Sequence, residues 1–354
     1  MAQSFGSWSV LTTAFLTLLY IALGGVTFSA VLHLCNAKWR FQVRKYACSF
    51  AVLFPICGVL LIILLWNGDH TFAWRMEGAQ AEGHHLNGWH NYTFLVARQI
   101  IGFVAVVTLC GLFIRYQYLS EVDTSYRAQR RFRNIALLIP FMYFAYGSMM
   151  GWDFEMTQVP RWDSASYGAY HFQSGFHMFL AFFTVYLFFM TKGGRLAHPI
   201  EHKIFNYMAQ FLLGMTILWT YLYFTQYLIY WYGRLPDDFI RYRHMMYEGF
   251  GALWWTYLAL KFVIPFCTLA LTPNRHNPPV ITAVAICIVI AYWIERYTWI
   301  AGSVDPQYYH MPFTSMFDIV VTLLVFGVAW GAVRWVQLKY GLIRAPEPAV
   351  AASG

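Results

Sequence analysis

A few side chains in this sequence can do acid–base or charge-holding chemistry where such side chains are scarce. Asp153, Glu155, His171, His177, Lys261 and Glu295 can take or release a proton, and Arg98, Arg296, Gln226 and Tyr230 can hold a charge or a polar group in position. Most of them lie inside, or at the mouth of, apolar runs. An ionisable group at the centre of a bilayer costs about 2.5–3.5 kcal/mol on insertion scales, so each needs a reason. At about 1.5 Å rise per residue, Arg98 falls roughly 9 Å beneath one surface, His177 roughly 10 Å, Gln226 roughly 8 Å, and Glu295 and Arg296 roughly 6–8 Å. Asp318 and His171 fall near the mouths of their runs. Groups from separate runs thus share one level, and a common polar cavity is the economical reading. Snorkelling from helix ends accounts for Asp318 and His171 but not for Arg98 or Glu295. Lys261 stands apart, in mid-run with no acid at matching depth.

The elements that position these groups are membrane helices. The chain has 354 residues, 59% hydrophobic and 11% charged, with a mean hydropathy of +0.47. Repeated apolar runs of about 20 residues predict a polytopic, all-α membrane protein. Nine spans are expected, near 10–35, 46–66, 92–114, 134–151, 170–190, 203–231, 249–271, 280–300 and 316–339. They form one transmembrane domain over 1–344, followed by a short Pro/Ala-rich tail, 345–354, expected to be disordered. Of 24 Lys and Arg residues, 16 fall on the side of the first inter-span loop and five on the other side. The positive-inside rule then puts the N-terminus outside, in the periplasm, and the C-terminus in the cytoplasm. The basic residues sit between spans, so the net charge of +8 points to a lipid bilayer as partner and not to nucleic acid. No cleavable signal peptide is expected, since a basic leading segment and a small-residue cleavage site are both missing.

Redox ligands are not expected on this chain. None of the six cysteines forms C-x-x-C or C-x-x-C-H, which argues against covalent haem and iron–sulfur ligation. Only His177 is a deep histidine, so a bis-histidine haem lacks its pair. The loop histidines His84, His85 and His90 have no acid or cysteine at a ligand spacing, and no metal site is assigned.

One stretch organises the chain: WTYLYFTQYLIYWYGRLPDD, Trp219 to Asp238. Trp219, Tyr223, Gln226 and Tyr230 recur at helical spacing, giving one face aromatic and hydrogen-bonding groups. Taken alone, this stripe reads more readily as an aromatic belt at the membrane interface than as a site. The stretch resembles the F-W-x-Y-x-x-F-S-Q-Y-L-x-x-W-Y-x-N-x-P-E-E segment of a membrane subunit of bacterial alternative complex III, the ActF type, in the polysulfide-reductase (NrfD-like) family. Asp153 to Ser164, then Tyr167 and Gly168, resemble that family's D-W-x-M-S-x-x-P-x-W-x-S-x-x-x-G. Leu86-Asn87 and Phe94 through Arg98 resemble its Y-L-N-x-x-F-F-x-x-R, and Pro265-Phe266 its PF pair. The similarity runs from about Ala30 to Trp335. It departs at Phe154, where the family has Trp, and at Tyr207 and Gln210, where it has the Asp and Lys of D-L-G-K.

The resemblance implies two packed helical bundles in the bacterial inner membrane. It also implies assembly with a sister NrfD-like membrane subunit, an iron–sulfur subunit and c-type cytochrome subunits. Iron–sulfur clusters and c-type haems in those partners would carry the electrons. Menaquinol or ubiquinol is the implied substrate. Asp153, Glu155, His177, Glu295 and Lys261 are then candidates for proton acceptance or relay, and Gln226, Arg98, Tyr230, His171 and Arg296 for positioning a quinol head group. A transporter or channel built on the same polar layer, and a purely structural anchor, are the competing readings. No inverted repeat or pair of broken spans favours the transporter.

Overall fold

The computed structural model describes residues 5–75, 88–160, 162–233, 236–302 and 310–344. Regular structure there is helical; apart from an isolated bridge between Leu196 and Ile343, no β-pairing occurs among the described residues. Among the described residues, nine helices are long and apolar enough to cross a membrane: Phe5–Leu34, Arg40–Trp66, Tyr92–Val122, Tyr126–Gln158, Tyr167–Lys192, Lys203–Tyr232, Gly251–Leu269, Pro278–Ala301 and Met316–Lys339. They are called the first to ninth spans below. The third and fourth run beyond the expected apolar limits. Their polar ends stay helical up to a tight turn in which Ser125 Oγ accepts from the Ala128 N–H at 3.4 Å and caps the fourth span. The tail 345–354 and the histidines His84 and His85 lie outside the described residues.

The first span is the hub. It is apolar on every side, and such a helix has no face to give to water. Its most apolar window is 94% buried, against 22% for the third and ninth spans. It packs on the second, fourth, fifth, eighth and ninth spans. Close approach is bought with glycine: a Cβ on Gly25 would stand 2.2 Å from the Ala47 carbonyl oxygen of the second span. The sequence pointed to the sixth span as organiser, but that helix is mostly peripheral, with 28% of its apolar window buried.

Two contacts fix the sidedness of the loops relative to one another. Trp8, near the start of the first span, stacks on His70 after the second at 5.8 Å. Leu196, after the fifth span, bridges Ile343 near the chain's end. The start and the end of the described chain therefore lie at opposite ends of the bundle.

The seventh span carries a π turn over Ala259–Val263. Pro265 follows it and has no N–H to give the Lys261 carbonyl four residues back, so the normal helical ladder is interrupted there. The widened turn places Lys261 among the fully buried residues.

Candidate functional site

The polar residues of the fifth span make the spine of the site. Tyr167, Tyr170, His171, Ser174 and His177 recur at three- and four-residue steps and are all buried. They form one stripe, facing Glu295 and Arg296 of the eighth span. The fourth span can lie against this stripe because residue 151 is glycine; a Cβ there would be 2.7 Å from His171 Cγ.

Two carboxylates centre the network. Glu155 Oε2 accepts from Arg296 Nη1 at 2.6 Å and from the Tyr167 hydroxyl. His171 Nδ1 lies 2.9 Å from the same oxygen and 2.7 Å from Arg296 Nη1. One imidazole nitrogen cannot donate to the first and accept from the second. The carboxylate, with its full charge, is the stronger partner, so Nδ1–H donates to Glu155. Glu295 Oε1 accepts from Trp219 Nε1 at 2.9 Å and from the Tyr170 hydroxyl, which itself accepts from Trp299 Nε1 at 3.0 Å. Glu295 Oε2 accepts from Ser174 Oγ at 2.9 Å and from Lys261 Nζ. Lys261 Nζ also donates to Ser174 Oγ at 2.6 Å. Arg296 Nη2 lies 2.9 Å from Glu295 Oε1, an ion pair that links the two halves. With His171 neutral, the carboxylates of Glu155 and Glu295 are balanced by Lys261 and Arg296. Charges this deeply buried persist only when paired and hydrogen-bonded.

This geometry corrects the expectation for Lys261. Its acid is Glu295, one helix away, brought to its level by the π turn. It also replaces snorkelling for His171 and Asp318. Both are fully buried, His171 on Glu155, and Asp318 Oδ2 with His310 Nε2 at 2.8 Å and the Phe313 N–H at 3.2 Å. His177 extends the stripe deeper and pairs with Thr216 Oγ1 at 3.3 Å. Trp219, Gln226 and Tyr230 are the buried face of the sixth span's C-terminal half, so that stripe is interior and not a lipid-facing belt. Gln226 stays outside the network, and its Nε2 has no hydrogen-bond partner among the described residues. Tyr230 donates to the Asp163 carbonyl at 2.8 Å.

Arg98 and Asp153 form a second, separate cluster. Arg98 grips the carboxylate in two-pronged fashion, Nε to Oδ2 at 2.9 Å and Nη2 to Oδ1 at 2.6 Å. Gln99 and Trp89 Nε1 (2.9 Å) donate to it as well. The Arg98 guanidinium also lies over the Trp89 ring at 4.1 Å. The expected single polar layer is thus two assemblies in direct contact internally, tied by the short chain segment from Asp153 to Glu155.

Between these clusters and the surface is a cavity of about 220 Å³, lined by Trp89, His90, Trp152, Met156, Thr157, Pro160, Trp162 and Asp163. Its Trp162 wall leads inward. The Trp162 and Tyr167 rings meet edge-on at 5.4 Å, and Tyr167 bonds Glu155. Arg241, from the helix Pro236–Tyr247, sits 4.3 Å over Trp162 and donates to the Glu155 carbonyl at 2.8 Å. Burial holds the His90 imidazole below its usual range, partly offset by a bond to the Thr157 backbone. A folded-state value below the unfolded one gives stability that is present above about pH 6.5 and lost as pH falls. Thermal midpoints across pH check this: His90→Gln should flatten the loss between about pH 6.5 and 5, and parallel profiles for variant and native protein would refute it.

Sequence reasoning missed Tyr167, Tyr170, Ser174, Gln99, Trp89 and Arg241 as working members. The fifth-span stripe was readable, since its polar residues keep helical spacing. Gln99 and Trp89 carried no such signal. No protein-family model matches this chain, and no curated protein is significantly similar to it. What its helices define is a class: a multi-pass, all-helical membrane protein.

Proposed function

We propose that this chain is a membrane subunit, without redox centres of its own, of a quinol-oxidising respiratory complex of the alternative complex III type. It sits in the bacterial cytoplasmic membrane with the N-terminus periplasmic, its spans grouped into two bundles. The loop charge bias and the four NrfD-like motifs support this. The observation that carries the chemical half is the balanced, buried chain Glu155–His171–Arg296–Glu295–Lys261 behind an aromatic cavity.

Oxidising a quinol releases protons as well as electrons. The electrons pass to the haem and iron–sulfur groups of partner subunits. The head group occupies the tryptophan-lined cavity, and Arg98 and Tyr230 brace its walls through Trp89 and Asp163. Glu155, one residue from Met156 in that wall, is the first proton acceptor, with His171 beside it as relay. Lys261 and Glu295 set the charge balance that lets a proton enter without leaving an unpaired ion.

The test uses the intact complex, purified in mild detergent. Glu155→Gln should lower quinol oxidation by about 100-fold or more, the usual worth of a positioned base, while haem content and co-purifying subunits stay as in the native complex. Unchanged turnover would reduce the chain to an anchor. Purification as a stable monomer that conducts ions in liposomes would establish the transporter reading instead.

A further inference from the structure

The opposite end of the bundle holds a larger cavity, about 520 Å³, between the ends of the first four spans. Arg40, Arg44 and Lys45 of the second span line it, and Glu121 of the third is the carboxylate among its lining residues. Glu121 accepts from Arg44 Nη2 at 2.5 Å and pairs with Lys45 Nζ at 2.9 Å. One negative charge therefore faces three positive ones. Arg44 is buried, its side chain 8% exposed, yet its Nε has no hydrogen-bond partner among the described residues, and neither has the Nε of Arg40. Buried guanidinium N–H groups without acceptors are costly, and they favour an anion that supplies several oxygens. The rim is apolar as well as cationic. Phe41 is 58% exposed, with the guanidinium carbons of Arg40 and Arg44 at 4.5 and 4.6 Å from its ring centre. Val122, next to Glu121, is also exposed. A soluble anion would use the cations and leave this apolar rim in water; a phosphate attached to acyl chains uses both.

We propose that this cavity binds the phosphodiester head group of an anionic phospholipid. Arg40 and Lys45 contact the phosphate oxygens, the free Nε of Arg44 adds a bond from behind, and the acyl chains pass over Phe41. The site rests on the chain crossing a membrane and is independent of the redox reading.

The test uses the full chain, stripped of lipid in detergent and offered equal phosphatidylglycerol and phosphatidylcholine, with retained lipid read by native mass spectrometry. The native chain should retain phosphatidylglycerol preferentially. The double variant Arg40→Gln/Lys45→Gln should weaken that retention by about 30-fold, from roughly one unit of surface electrostatics per basic residue. Glu121→Gln removes the competing carboxylate and should strengthen retention, a gain that misfolding cannot mimic. Arg195→Gln, on the same end of the bundle but outside the cavity, should change nothing. Equal retention of the two lipids by the native chain, or undiminished retention by the double variant, would overturn the site. Displacement of the lipid by a molar excess of inorganic phosphate would assign it to a soluble anion.

Discussion

Lys261→Met should lower the stability of the folded chain by about 3 kcal/mol, the low end of the range for breaking a buried ion pair. The substitution keeps the volume of the side chain but leaves Glu295 without its closest cation, in a place where water does not reach. The low end applies because Arg296 Nη2, Trp219, Tyr170 and Ser174 still face the carboxylate. Glu295→Gln alone should be comparably damaging, since it strands Lys261. The double variant Lys261→Met/Glu295→Gln should recover most of the loss, because the remaining Arg296–Glu155 pair is neutral overall. Denaturation midpoints of the four proteins in one detergent provide the check. Additive losses in the double variant would mean that the two side chains do not form a pair.

The second large effect concerns Arg98 and Asp153. Arg98→Leu should cost about 3–5 kcal/mol, because among the described residues Asp153 keeps only Gln99 and Trp89 as donors for a full charge. Asp153→Asn should cost nearly as much, by leaving Arg98 unpaired. Both losses should appear as earlier unfolding of the detergent-solubilised chain, with the turn Gly88–His90 released first, since Arg98 Nη1 also donates to the Trp89 carbonyl at 3.2 Å. This separates two roles for Asp153. A carboxylate saturated by four donor atoms is poorly placed to collect a proton, so its variants should fail through stability. If Asp153→Asn unfolds at the native temperature while quinol oxidation collapses, Asp153 is a catalytic base and the structural role is wrong.

The contrast between Asp153 and Glu155 shows where reading the chain stops. In sequence they are equivalent candidates, two residues apart on a helix end. In the structure Asp153 turns toward the third span and is saturated. Glu155 turns toward the fifth and eighth, and its Oε1 has no hydrogen-bond partner among the described residues. A two-residue step along a helix end swings side chains to opposite sides, and only the neighbours decide which one meets a guanidinium.

Composition and periodicity alone were enough for the nine spans, the loop charge bias and the gathering of ionisable groups toward one end. Those properties follow from local chemistry: backbone groups must bond within each helix in a bilayer, and a charge in an apolar run stands out wherever the helix packs. Pairing was decided only by tertiary structure. Lys261 finds Glu295 because Pro265 interrupts the helical ladder. Separately, glycine at 151 lets the fourth span close on His171. The first span becomes the hub because neighbours cover all its sides, whereas the sixth keeps an exposed flank of Tyr221, Phe224 and Trp231. Sequence alone does not say which helix is central, since lipid and protein interior are equally apolar solvents for a side chain, and only packing decides it.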